Sequence, residues 1–191
     1  MNIPSSLVPK VDDHQVRIGN VTVTVHLTEH PLFVSKKLQS FIFRPFYRHV
    51  VGLDIQFDSR CSLRWLLLYT GNCCLKFYVP LLDLNVPASQ NYLNQFLSDK
   101  NVIFVGHINK IDCKYGMELS FLAARVLKKP NMLNLQLEQL AGEVGLDVKP
   151  RTCANINWCS RVFLEDDFKY AIHNAFHSYA IGNKALTMGR Y

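Results

Sequence analysis

A chain of 191 residues, 49% hydrophobic and 19% charged, has enough length and apolar content for one domain with a sizeable core, which excludes a disordered chain. No apolar run is long enough to span a membrane, the longest candidate, Leu63–Thr70, being strand-sized, and residues 1–15 lack the basic and apolar regions of a secretory signal. A net charge of +6 permits an anionic partner, but the basic residues are scattered in pairs such as Lys36/Lys37, Arg44/Arg48, Lys128/Lys129 and Lys149/Arg151. Residues 1–15 read as a polar tail and residues 16–188 as a single domain. From Val16 to Thr28, β-branched and polar residues alternate around Gly19-Asn20, which predicts a hairpin arm. Val34–Phe43 has helical spacing. Three strands follow at Val50–Phe57, Leu63–Thr70 and Cys73–Val79, the last two joined by the turn pair Gly71-Asn72, so an antiparallel meander is expected.

Beyond the meander the rhythm changes. Residues 89–99 predict an amphipathic helix with Ser89 as its N-cap, Asn101–His107 an apolar strand, and Lys110–Leu127 a helix around Asp112. Asn134–Leu146 predicts a further helix stopped by Gly145, and Glu165–Met188 a long final helix with apolar positions 168, 171, 172, 175, 176, 179 and 180. Pro130 and Pro150 mark loops. The expected fold class is α/β: a mixed central sheet, antiparallel meander plus parallel strands, flanked by helices. Six cysteines (Cys61, Cys73, Cys74, Cys113, Cys153, Cys159) contain no C-x-x-C pair, and adjacent Cys73 and Cys74 point to opposite strand faces. Reduced thiols in nucleus or cytoplasm are the expectation. Trp65 and Trp158 read as core residues.

Three places carry the chemistry. Asp54 and Gln56 lie two apart on a strand and emerge on one face. Asp112 follows the apolar strand. Tyr170 and Asn174 lie four apart on the last helix, hence side by side. A converging Asp-x-Glu, Asp and Tyr-x-x-x-Asp would bind two Mg²⁺ ions for phosphodiester hydrolysis, because hard, small cations demand carboxylate oxygen.

With those residues in order, the chain resembles the DEDDy class of 3′–5′ exonucleases, in particular the Werner-syndrome-type exonuclease domain in its small stand-alone versions common in plants. The resemblance runs from about Val50 to Leu186. It includes "LRWLLLYTGNCCLKFYV", "NLQLEQLAGEVGLDVKP", "NWCSRVFLEDDFKYA" and "NAFHSYAIGNKAL" as well as the site positions. It implies a ribonuclease H-like fold, Mg²⁺ or Mn²⁺ as cofactor, single-stranded nucleic acid as partner, and self-assembly or assembly with active relatives. Asp54, Asp112 and Tyr170 match the family pattern. Gln56 stands where the family has Glu, and Asn174 where it has its final Asp.

Those two amides set the expectation for function. Two unit charges 4 Å apart attract by about 4 kcal/mol at an effective dielectric near 20, and a dication doubles that. Two such losses, only partly offset by cheaper desolvation of amides, weaken metal binding by orders of magnitude. One ion held by Asp54 and Asp112 is then expected rather than two. His173 and His177, four apart, have the spacing of a Zn²⁺ clasp, but without a third ligand such a pair is incidental. The sequence therefore points to an exonuclease-like nucleic-acid-binding domain with weak or absent catalysis. An active 3′–5′ exonuclease and a protein-interaction subunit are the alternatives.

Overall fold

Alternation shapes the first hairpin: Val16, Val23 and Val25 are fully buried, while Arg17 and Thr22 between them are exposed. The computed structural model describes residues 11–28, 31–42, 49–58, 63–78, 93–106, 108, 113–149 and 164–189. Strands β1 (Val11–Ile18) and β2 (Val21–Thr28) pair antiparallel about Gly19-Asn20, where Gly19 takes the positive φ (+57°) that a tight hairpin needs. The arm thus begins at Val11, five residues before the start expected from the sequence.

Helix α1 (Pro31–Ile42) precedes β3 (His49–Asp58), β4 (Leu63–Tyr69) and β5 (Cys73–Tyr78), the antiparallel meander the sequence predicts. A short helix, α2 (93–97), leads to β6 (Val102–Gly106), which lies parallel to β3, and to β7 (Gly116–Glu118), parallel to β6. Helix α3 occupies Leu119–Leu127, a 3-10 turn Pro130–Asn134, α4 Leu137–Glu143 and α5 Glu165–Met188. The helix expected over Lys110–Leu127 is corrected here. Described residues 113–118 form a turn and β7, and the helix starts only at Leu119. Apolar spacing cannot separate a three-residue strand from the helix that follows it.

The sheet order is β1-β2-β5-β4-β3-β6-β7. The hairpin arm is therefore part of the central sheet, joined through parallel pairing of β2 with β5. One face packs Leu53, Leu66, Leu68, Leu75, Phe77 and Phe104 against α1 and α2. The other face packs Trp65, Leu67, Tyr69 and Cys74 against Phe168, Ala171, Ile172 and Ala175 of α5. Further along α5, Ile181 and Ala185 join Val105 and the α3–α4 core. Apolar burial on both faces is the main stabilising term, at about 25 cal/mol per Å² removed from water.

Gly52 sets how closely α5 approaches. A Cβ there would lie 1.8 Å from the Ala175 carbonyl oxygen and 2.9 Å from Tyr179 Cβ. The helix backbone rests directly on β3. Gly52→Ala is expected to lower unfolding stability by about 1–3 kcal/mol, measured as the urea midpoint, because α5 must lift off the strand. An unchanged midpoint would mean that the helix does not sit there.

Candidate functional site

Strand β3 delivers Asp54 and Gln56 to the face that α5 covers, as the two-residue spacing requires. In the ladder Gly52, Asp54 and Gln56 lie opposite Tyr69, Leu67 and Trp65. Asp54 is buried, with 3% of its surface exposed, and Gln56 is half-buried. The Gln56 amide Nε2 donates to Asp54 Oδ2 at 3.2 Å and also to the carbonyl oxygen of Ala171, 115 residues away on α5. Both neighbours are acceptors, which fixes which end of the amide faces them. Oε1 is buried and has no hydrogen-bond partner among the described residues.

This arrangement bears on a metal. A divalent ion shared by these two side chains would need lone pairs aimed at one point. Gln56 aims an N–H at the carboxylate, and turning the amide over would set Oε1 against the Ala171 carbonyl. As folded, the pair does not fit a shared cation. Among the described residues no group of three or more His, Cys, Asp or Glu is placed to hold a metal ion.

Tyr170 and Asn174 lie on α5, each next in sequence to an alanine whose backbone meets β3: Ala171 through Gln56 and Ala175 over Gly52. Both are half-buried. Phe176 and Tyr179, at 5.1 Å from the Tyr69 ring, mark the flank of α5 that faces β4. Helical geometry puts Tyr170 and Asn174 on the other flank, toward β6. Asp112 lies outside the described residues. Of the five candidate site residues, Asp54 and Gln56 are thus in direct contact, and Gln56 ties them to the helix that carries Tyr170 and Asn174.

Other acidic and imidazole groups have ordinary occupations. Asp167 Oδ2 accepts the Leu164 N–H at 2.8 Å at the start of α5, and Asp166 accepts from Lys169 at 3.3 Å. The His173 and His177 rings stack edge to face at 4.5 Å, and no third described ligand joins them.

Two residues of this region escaped the sequence reading. Lys76 is fully buried on β5, opposite Leu67, which is itself opposite Asp54, and its amine lies 5.0 Å from the Trp65 ring centroid. Strand alternation from Cys74 contains the signal, since it turns position 76 to the same covered face. Burial pushes the Lys76 amine down to about 7, with Cys74 and Asp167 acting in the opposite direction. Glu118 Oε1 accepts the Ile108 N–H at 3.1 Å and so holds the backbone at Ile108, just beyond β6. Its register partner Gly106 pairs with Leu53, so the Glu118 side chain projects from the face opposite Asp54. The expected helix concealed it.

Comparison with known proteins agrees on the fold. No protein-family model matches the chain, and no curated protein matches it in sequence. The structure of Escherichia coli RNase D, an exoribonuclease involved in structured RNA processing, superposes with a TM-score of 0.62 at 13% identity over 86% of this chain. The chain spans 44% of the length of that enzyme. The EXD2 exonuclease domain soaked in Mn and Mg gives 0.42 at 20% identity, over 85% of this chain and 89% of that one. Soaked in Mg and GMP it gives 0.43 at 20% identity, over 87% and 91%. Among the described residues, the seven-stranded mixed sheet flanked by helices matches the ribonuclease H-like fold of RNase D.

Proposed function

We propose, from that shared fold, that the chain is a DEDDy-type, Werner-exonuclease-like domain that binds single-stranded nucleic acid and cleaves it feebly or not at all. The observation that carries the reading is the Gln56 amide, whose N–H groups bond Asp54 and the Ala171 carbonyl where a two-metal enzyme needs a second carboxylate. In the proposed set of Asp54, Gln56, Asp112, Tyr170 and Asn174, two amides stand where the exonuclease pattern has carboxylates, so the set carries less negative charge than a two-metal site. A single hydrated Mg²⁺ or Mn²⁺ on Asp54 and Asp112 is the most this donor set supports. The net charge of +6 favours the anionic strand at long range. We assign the protein to the nucleus or cytoplasm on its cysteines, which form no disulfide among Cys73, Cys74 and Cys113. No helix among the described residues is long and apolar enough to cross a membrane.

The test is fluorescence anisotropy and a gel assay on one 5′-labelled single-stranded oligonucleotide. Binding is expected to weaken linearly in log–log form as salt rises from about 50 to 200 mM, with a slope of about −0.7 per phosphate contacted. No shortened product should appear with Mg²⁺. Turnover abolished by Asp54→Ala, stronger with Mn²⁺ and slowed by Tyr170→Phe, would establish the active-enzyme alternative. Absent or salt-indifferent binding of both RNA and DNA would leave the protein-interaction reading.

A further inference from the structure

We propose that the outer edge of β1 joins two copies of this chain by antiparallel strand addition, in the register that sets Asp13 of each copy against Arg17 of the other. This stands independently of nucleic-acid binding. Strand β1 ends the described sheet, and no described strand pairs with its outer side. Such an edge presents a row of N–H and C=O groups ready for another strand.

The hydrogen-bond phase of that row follows from β2. The Thr24 N–H donates to Asn72 O at 3.0 Å, on the side away from β1. Facing residues in an antiparallel ladder exchange both hydrogen bonds or neither. Gln15, which faces Thr24, therefore directs its N–H and C=O outward, and so, by alternation, do Asp13 and Arg17. The two-residue turn Gly19-Asn20, closing on Ile18 and Val21, gives the same phase.

Register is set by symmetry and charge. A sheet continued through a two-fold axis keeps each face on the same side, so facing residues lie at positions of equal parity. Centring the axis on Gln15 puts Asp13 opposite Arg17 twice. Centring it on His14 puts Asp13 opposite Gln15, and centring it on Asp13 sets like charges together. Only the Gln15 register matches opposite charges. Asp13 is steadied for this contact by His26 Nδ1 at 2.6 Å, and its side chain remains 59% exposed. Arg17 is exposed as well. Charges on an edge commonly block pairing. Here their signs are spaced so that an antiparallel copy complements them.

Sedimentation equilibrium on the full chain tests the interface. The wild type is expected to dimerise at concentrations of about 100 µM or below. Arg17→Asp and Asp13→Arg should each weaken association by about tenfold or more, since two attractive pairs become repulsive. Mixing the two variants should restore a heterodimer, because each then offers the charge the other needs. Gln15→Pro removes an outward N–H at the axis, leaves the backbone hydrogen bonds between β1 and β2 in place and loses only the exposed Gln15–Thr24 side-chain hydrogen bond, so it should give a folded monomer by circular dichroism. A monomeric wild type at about 100 µM, undiminished association of Gln15→Pro, or no rescue on mixing would overturn the proposal.

Discussion

The Gln56→Glu/Asn174→Asp double variant is expected to be less stable than the wild type without divalent cations, and to be stabilised by Mn²⁺ or Mg²⁺ far more than the wild type is. An ionised Glu at position 56 cannot donate to the Ala171 carbonyl, so in that form the link from β3 to α5 is lost. It also brings a second carboxylate to within about the 3.2 Å that now separates Gln56 Nε2 from Asp54 Oδ2. Two negative charges at that range repel by about 4–5 kcal/mol at an effective dielectric of 20, unless one takes up a proton. Proton uptake limits the cost at pH 7 to about 3–4 kcal/mol, since an ordinary Glu titrates near 4.3 and each pH unit is worth about 1.4 kcal/mol.

The pH dependence has a definite sign. The raised carboxyl pKa of the folded variant means that the folded state holds the extra proton, so its stability falls as pH rises above the unfolded value near 4.3. A cation restores the attraction. Two recovered ligands, each worth at least about 1.4 kcal/mol in the transition state, should raise cleavage of a labelled single strand by about 100-fold or more. Urea titrations at pH 5 and 7 with and without Mn²⁺, together with the strand assay, measure both effects. If the double variant gains nothing from cations over the wild type, the two amides are not what keeps the site from binding metal.

Lys76→Met is expected to stabilise the protein at pH 6 by about 3–5 kcal/mol and to have little effect above pH 10.5. Burial lowers this amine from its ordinary 10.5 to about 7. Below pH 7 folded and unfolded chains both carry the proton, and the full cost of burying an ammonium weighs on the folded state. Between about 7 and 10.5 the unfolded chain carries more protons than the folded one, so wild-type stability climbs with pH. Methionine fills a similar volume without the charge. It gives up the contact with the Trp65 ring, worth about 1 kcal/mol, against a larger desolvation term. Against a total of about 5–15 kcal/mol for a domain, the shift is large. Urea midpoints of both proteins at pH 6, 8 and 10 measure it, and a pH-independent difference between them would contradict a buried, titrating amine.

The elements with strong periodicity were legible in the sequence. The final helix runs over Glu165–Met188 as its apolar spacing predicts, with Phe168, Ala171, Ile172 and Ala175 buried, and the meander strands fall within a residue or so of their expected ends. Trp65 is core, as expected. Asp54 and Gln56 share a face because strand alternation is a property of the backbone. These features depend on residues a few positions apart, and local chemistry specifies them.

What only the tertiary structure decided depends on residues far apart. Nothing near Gln56 announces that its amide will meet a carbonyl 115 residues later, because that contact exists only once Gly52 lets α5 settle on β3. Nothing in the hairpin arm announces that β2 will lie parallel to β5 and carry β1 to the rim of the sheet. The burial of Lys76 beneath α5 and the position of Glu118 behind the sheet arise the same way. Alternation tells a side chain which face it takes, but the partner waiting on that face is chosen by the packing of the whole chain, where burial of apolar surface outweighs the preference of any one residue.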